Sequence, residues 1–182
     1  MNTEAIQNYP QHPSGRIFLI GFMGTGKTHW GRLWAARHHY AFIDLDEVIE
    51  QEEQRSTTNI FEKNGEDYFR EKEALHLRSL QQYNNAIISC GGGTPCFFDN
   101  MKWINENGIS VLLESTPAYI LKNILLQEGK RPLVKNLNEA ELIFYIEQKL
   151  KERTPFYNEA NIKLNAEEVT ERSIDSLIKP SH

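Results

Sequence analysis

Eight residues constrain this chain more than any others: Gly21-Phe-Met-Gly-Thr-Gly26-Lys27-Thr28, a Gly-x-x-x-x-Gly-Lys-Thr pattern. It follows Arg16-Ile-Phe-Leu-Ile20, a short apolar run of β character. After it, Trp30, Leu33 and Trp34 recur at helical spacing. A strand that hands over to a helix through glycines can turn its backbone N–H groups inward, and the helix N-terminus adds positive potential there. Such a loop cradles phosphate. Gly24, Thr25 and Gly26 lie in the turn, Lys27 is placed to reach the β- and γ-phosphates, and the Thr28 hydroxyl suits Mg²⁺. A plain glycine-rich turn has no need of a lysine and a threonine in that frame, so ATP or GTP binding follows.

The rest of the chain fits the same scaffold. Ala41-Phe-Ile43, Ala86-Ile-Ile-Ser89, Ile109-Ser-Val-Leu-Leu113 and Asn161-Ile-Lys-Leu164 are predicted strands, most of them apolar on both faces. That is the habit of a parallel sheet between helix layers. Thr116-Pro117 places an N-cap residue before a proline at the first helical position. Asn138 with Glu141, and Asn165 with Glu168, have capping-box spacing. Leu142, Ile146 and Leu150 lie behind the first cap, and Val169, Ile174, Leu177 and Ile178 behind the second, so a helix is predicted after each. Alternating β and α elements with right-handed crossovers predict a three-layer α/β/α fold on a parallel sheet of about five strands. At 182 residues a single domain is expected. Residues 1–14, with Pro10 and Pro13 among polar neighbours, read as a flexible tail, and residues 15–182 as the domain.

Composition removes several function classes. Twenty Lys+Arg against 25 Asp+Glu give a net charge of −5, which disfavours a nucleic-acid partner. The longest nearly apolar run, Ile17 to Met23, is interrupted by Gly21 and falls short of the ~20 residues that span a bilayer. Residues 1–14 lack the basic start and apolar stretch of a secretory signal. Cys90 and Cys96 fit neither a disulfide framework nor the usual zinc spacings. A reduced, cytoplasmic, monomeric protein with no membrane or nucleic-acid partner is expected.

Candidate chemistry lies outside the loop as well. The strand ending at Ser89 runs into Cys90-Gly91-Gly92-Gly93 without a carboxylate, and no Asn-Lys-x-Asp sequence is present, so a GTPase is disfavoured. A carboxylate pair does follow the second strand, Asp44-Leu-Asp46. Ligands of open parallel sheets bind beyond the carboxyl ends of strands, which brings both acids near the loop. If the extended geometry persists they point the same way, one to a metal and the other to an acceptor hydroxyl. An acidic first turn of a helix, with Glu47, is the plainer alternative. Four further features have two readings each. Arg70 and Glu73 are a helix-face ion pair or a ligand site. Gly91-Gly92-Gly93 is a turn or a place where a ligand approaches backbone amides. Arg131-Pro-Leu is a solvated connection or a basic loop that closes over phosphates. Arg153 is a helix C-terminal cation or a ligand contact.

Order and spacing together carry a resemblance. The phosphate loop, Asp44-x-Asp46, Phe61 eight residues before Phe69-Arg70-x-x-Glu73, Gly91-Gly92-Gly93, Arg131-Pro-Leu and Arg153-x-x-x-Tyr157 resemble the shikimate kinase family over most of residues 16–165. These are small phosphotransferases related to nucleoside monophosphate kinases. The resemblance implies ATP-dependent phosphorylation of a shikimate hydroxyl with Mg²⁺, and ATP/ADP and shikimate as partners. It implies that Asp46, Arg70, Gly92, Gly93 and Arg153 contact shikimate, that Phe61 and Phe69 pack around its ring, and that Glu73 orients Arg70. Thr28 and Asp44 are implied on the metal side, Lys27 and Arg131 on the transferred phosphate, and Lys27, Asp46 and Arg131 as the catalytic set. An acceptor-binding segment near 47–77 and a lid near 125–136 are likewise implied. Three positions depart from the family pattern: His29, beside the nucleotide, replaces a frequent Ser or Thr, Cys90 replaces a more usual threonine, and Thr94-Pro95 follows the glycines. Two rivals share the loop: a gluconate or nucleoside monophosphate kinase, and a non-catalytic nucleotide-binding regulator.

Overall fold

The structure is a computed structural model that describes residues 12–126 and 137–178. Strand β1, Ile17–Ile20, is buried at every position, and its alternation sets the layers. Phe18 and Ile20 face one apolar cluster, Ile17 and Leu19 the other. The first cluster takes residues from four helices: α2 (Leu45–Glu53), α3 (Thr57–Ser79), α4 (Asn100–Asn107) and α6 (Glu139–Tyr157). The second takes Trp34 and Ala35 of α1 (Lys27–His38) and the C-terminal residues Ile174, Leu177 and Ile178.

Strands β2 (Ala41–Asp44), β3 (Ala86–Ser89), β4 (Ile109–Glu114) and β5 (Ile162–Asn165) complete a five-stranded sheet in the order β2-β3-β1-β4-β5. Every pairing is parallel. The predicted sheet is therefore present with its strands where the apolar runs lie. β1 is central, so the loop that leaves its carboxyl end opens between the ends of its two neighbours. A third cluster joins Phe22 to Ile120 and Ile124 of α5 (Pro117–Leu125) and to Leu142 and Ile146 of α6.

Two of the three predicted helix starts form. The Thr116 hydroxyl accepts from the Tyr119 amide at 3.3 Å, and Asn138 with Glu141 make both hydrogen bonds of a capping box. The third start does not form. Asn165 Oδ1 accepts from the amide of Glu167, two residues on, which makes a local turn instead of a helix cap. The chain beyond it is held in turns by α1. Trp34 Nε1 donates to Thr170 O at 3.0 Å, and Arg37 and His38 hold Asp175. Ile174, Leu177 and Ile178 are buried there with only a 3₁₀ turn, Asp175–Leu177, so tertiary contacts override the helical periodicity.

At the other end, Ser14 is tied down: its hydroxyl donates to Asn107 O at 3.1 Å and its carbonyl accepts from Asn85 N at 3.0 Å. Among the described residues no helix is long and apolar enough to cross a membrane.

Candidate active site

The turn after β1 owes its shape to glycine at two places. Gly21 lies at φ 137, where a Cβ would fall 2.6 Å from Leu113 O, and Gly26 caps α1 at φ 89. Lys27 then bends back across the loop, and its Nζ donates to Gly21 O and Phe22 O, both at 2.8 Å. An ammonium held over carbonyls at the mouth of a nest of amides can exchange them for phosphate oxygens. Gly24, Gly26, Lys27, Thr28 and His29 all line the adjoining cleft. Thr25 does not, because its buried hydroxyl turns inward to Phe22 O at 2.9 Å. His29 is exposed, its ring edge-on to Trp30 at 5.2 Å.

Hard oxygen donors gather at the next strand ends. Thr28 Oγ1 donates to Asp44 Oδ2 at 2.9 Å and lies 3.4 Å from Ser89 Oγ. Asp44 and Ser89 are register partners across β2 and β3. Two hydroxyls and a carboxylate suit Mg²⁺. Among the described residues no group of three His, Cys, Asp or Glu could hold a metal.

Extended geometry stops at Asp44, whose Oδ1 accepts from the Asp46 amide at 3.1 Å and so caps α2. Asp46 therefore reaches the cleft from a helical turn and not by strand alternation. The acidic first turn expected as the plainer alternative is present, and both carboxylates also line the cleft.

Asp46 is a carboxyl of unusual character. Its pKa is raised from 3.8 to about 7, first by burial and then by the charges of Glu73 and Asp44, against Lys27 and Arg70. A side chain that titrates there can take a proton from a hydroxyl at neutral pH.

Opposite Asp46, α3 is interrupted at Gly65, whose φ of 82 no helix contains. Its second half carries Phe69, Arg70 and Glu73. Arg70 and Glu73 are not a surface pair: they are 7% and 0% exposed, with Nη1 to Oε2 at 2.7 Å. Thr94 Oγ1 donates to the other oxygen of Glu73. Phe61 and Phe69 pack with ring centroids 4.4 Å apart, tilted by 32°, and the guanidinium carbon of Arg70 sits 5.2 Å from the Phe69 ring and 4.7 Å from the Phe97 ring. Glu53 draws α2 towards α3: hydrogen bonds from Lys72, Tyr68 and Arg55 hold its carboxyl down at about 2.

The glycine trio has a reason different from the one its sequence suggests. None of the three has a positive φ. What they give is space: a Cβ on Gly93 would lie 2.5 Å from Nη2 of Arg70, which burial and Glu73 hold in place, and one on Gly92 would lie 2.9 Å from Nη1 of the half-buried Arg153, whose tip can shift. Both guanidinium groups rest on bare backbone. Arg153, on α6, also lies over the Phe22 ring at 5.1 Å, while buried Tyr157 one turn on donates its hydroxyl to Gly92 O at 2.6 Å.

These groups share one cleft of about 690 Å³, lined by Lys27, Thr28, Asp44, Asp46, Phe61, Phe69, Arg70, Gly92, Gly93 and Arg153, among others. Arg131 and all of the expected lid (125–136) beyond residue 126 lie outside the described residues. The family model for shikimate kinase matches residues 23–180. The chain belongs to the shikimate kinase family. It is 40% identical over 169 residues to the shikimate kinase of Phocaeicola vulgatus, covering 90% of this chain and 97% of that one. Among solved structures, shikimate kinase from Bacteroides thetaiotaomicron superposes with a TM-score of 0.83 at 36% identity, over 89% of this chain and 93% of the other. Shikimate kinase from Acinetobacter baumannii in complex with shikimate gives 0.77 at 28% identity, over 96% and 92%.

Within this shikimate kinase framework, Ser89 lines the cleft and Thr94, Phe97 and Tyr157 touch residues that line it, and the sequence assigned none of the four a role. Ser89 was signalled only by ending the strand beside Asp44. Thr94 and Tyr157 follow residues already singled out, yet their hydrogen bonds to Glu73 and Gly92 depend on packing between distant elements. Phe97 had no local signal.

Proposed function

We propose that this protein transfers the γ-phosphoryl group of ATP to a hydroxyl of shikimate, giving shikimate 3-phosphate in the route to chorismate and the aromatic amino acids. The observation that carries this reading is one cleft in which a phosphate-loop lysine meets two guanidinium groups and a carboxyl that titrates near neutrality.

In the mechanism, Arg70 and Arg153 take the planar carboxylate of the acceptor, which suits guanidinium forks. Gly92 and Gly93 let it approach the backbone, and Phe61 and Phe69 wall the ring. Asp46 accepts hydrogen bonds from ring hydroxyls and collects the proton of the one that attacks. That oxygen bonds to the γ-phosphorus, the bond to the β–γ bridging oxygen breaks, and ADP leaves. The transition state is loose, so alignment and charge neutralisation outweigh the strength of the base. Gly24, Thr25 and Gly26 offer backbone N–H groups to the phosphates, with His29 at their edge. Lys27 offsets charge on the transferred group, with Arg131 as a second cation. Thr28 and Asp44 would hold Mg²⁺, which neutralises charge on the nucleotide phosphates when bound.

We assign a cytoplasmic monomer, with residues 47–77 as acceptor-binding segment and 125–136 as lid. Incubating the purified protein with ATP, Mg²⁺ and shikimate should release ADP and yield a product heavier by one phosphoryl group in mass spectrometry. ADP release that is indifferent to shikimate would defeat the assignment.

A further inference from the structure

The geometry points to Glu66 as an exchangeable counter-ion of Arg70, displaced by the carboxylate of the acceptor, an inference that rests on the acceptor site proposed above. The Arg70 guanidinium is crowded by an aromatic ring and by bare backbone. Phe97 lies 4.7 Å from its carbon on one contact, and Gly93 backs it so closely that a Cβ would fall 2.5 Å from Nη2. A carboxylate ligand must therefore come in the guanidinium plane, at an edge.

Two carboxylates already hold those edges, and they differ in kind. Glu73 is 0% exposed, and each of its oxygens has a donor, Arg70 Nη1 on one and Thr94 Oγ1 on the other. Pulling it away would strand a buried charge, so it stays. Glu66 has a side chain 58% exposed, and a single oxygen, Oε1, accepts from both Nε and Nη2 at a long 3.2 Å. It can return to water at little cost. Gly65 explains its position: at φ 82 and ψ 175 it breaks α3, which starts afresh at Glu66, one turn before Arg70 on the same face.

Charge around Arg70 favours the exchange even with Arg153 sharing the acceptor carboxylate. One guanidinium paired with two carboxylates already carries a net negative charge, and a third carboxylate adds repulsion from both. The acceptor anion binds best by taking the place of the partner that can leave. Glu66 thus keeps the fork aligned and competes with the acceptor, which weakens binding of any anion that does not match the site better than a tethered glutamate does.

The test is steady-state kinetics on Glu66→Gln, a surface change that keeps the side chain's shape. The KM for shikimate should fall about two- to fivefold, the strength of an exposed ion pair, with the KM for ATP unmoved. The ratio of wild-type to variant KM should shrink towards one at about 1 M salt, where the Debye length is ~3 Å. A KM that rises or stays put at low salt would mean that Glu66 only braces Arg70, and the exchange is wrong. Arg70→Ala run beside it separates the two ideas. If its shikimate KM does not rise, the acceptor site itself is misassigned. If it rises while Glu66→Gln shows no fall, only the exchange fails.

Discussion

The two ends of the cleft are built by opposite means. The phosphate end is a single turn of chain, Gly21 to Thr28, whose shape comes from glycine backbone angles and a helix N-terminus. The acceptor end has no local shape of its own. Asp46 comes from α2, Arg70 and Glu73 from α3, Thr94 from the turn after β3, and Arg153 and Tyr157 from α6. A backbone-made site tolerates loss of a side chain, because its amides remain. A side-chain-made site does not, because each buried partner removed leaves another unsatisfied.

The strongest test of this contrast is Asp46→Asn. Loss of the proton acceptor should lower turnover by roughly 10²–10⁴-fold while ATP still binds. A variant within about twofold of wild type would exclude an essential role. Next comes Arg70→Ala, which removes a charge-assisted contact worth ~1.5–3 kcal/mol, so shikimate affinity should drop by about 10–150-fold. Titration calorimetry should show ATP binding intact, and an equal loss of both affinities would erase the distinction between the ends. Thr28→Val works from the other side: the KM for MgATP should rise about tenfold, and the KM for shikimate should hardly move.

The smallest effect separates activity from stability. In the proposed mechanism ionised Asp46 is the active form, so kcat/KM should climb as pH rises through about 7. Stability runs the other way. Because folding raises this carboxyl from 3.8 to about 7, its stabilising contribution is complete below the lower value and is lost as pH rises through the upper one. Asp46→Asn should therefore raise Tm at pH 8, on the order of 5 °C for a chain of this size, and less at pH 5. Thermal scans with an equal gain at both pH values would show that the carboxyl is not held near 7.

The same contrast decides what the sequence could tell. The loop, all five strands and the caps at Thr116 and Asn138 are local signals, and they reappear where the chain put them. The cap at Asn165 was equally local and failed, because Trp34, Arg37 and His38 grip the following segment from another element. Asp44 and Asp46 were found as a pair, but the helical turn that aims Asp46 depends on Asp44 accepting from the Asp46 amide and so capping α2. Arg70 and Glu73 read equally well as a surface pair until the packing of α3 buried them. The Arg153-x-x-x-Tyr157 spacing marks Tyr157, but its bond to Gly92, like the contacts of Thr94 and Phe97, joins separate elements, and no spacing rule announces those.

The bare backbone under Arg70 and Arg153 has a consequence for how this pocket can change. Each guanidinium sits where a methyl group on Gly93 or Gly92 would stand. Altering the loop alone pushes the arginine, and altering the arginine alone leaves a hollow beneath it. The two must be exchanged together, so their effects will not add. An acceptor of another shape is reached only through paired substitutions across elements that sit far apart along the chain.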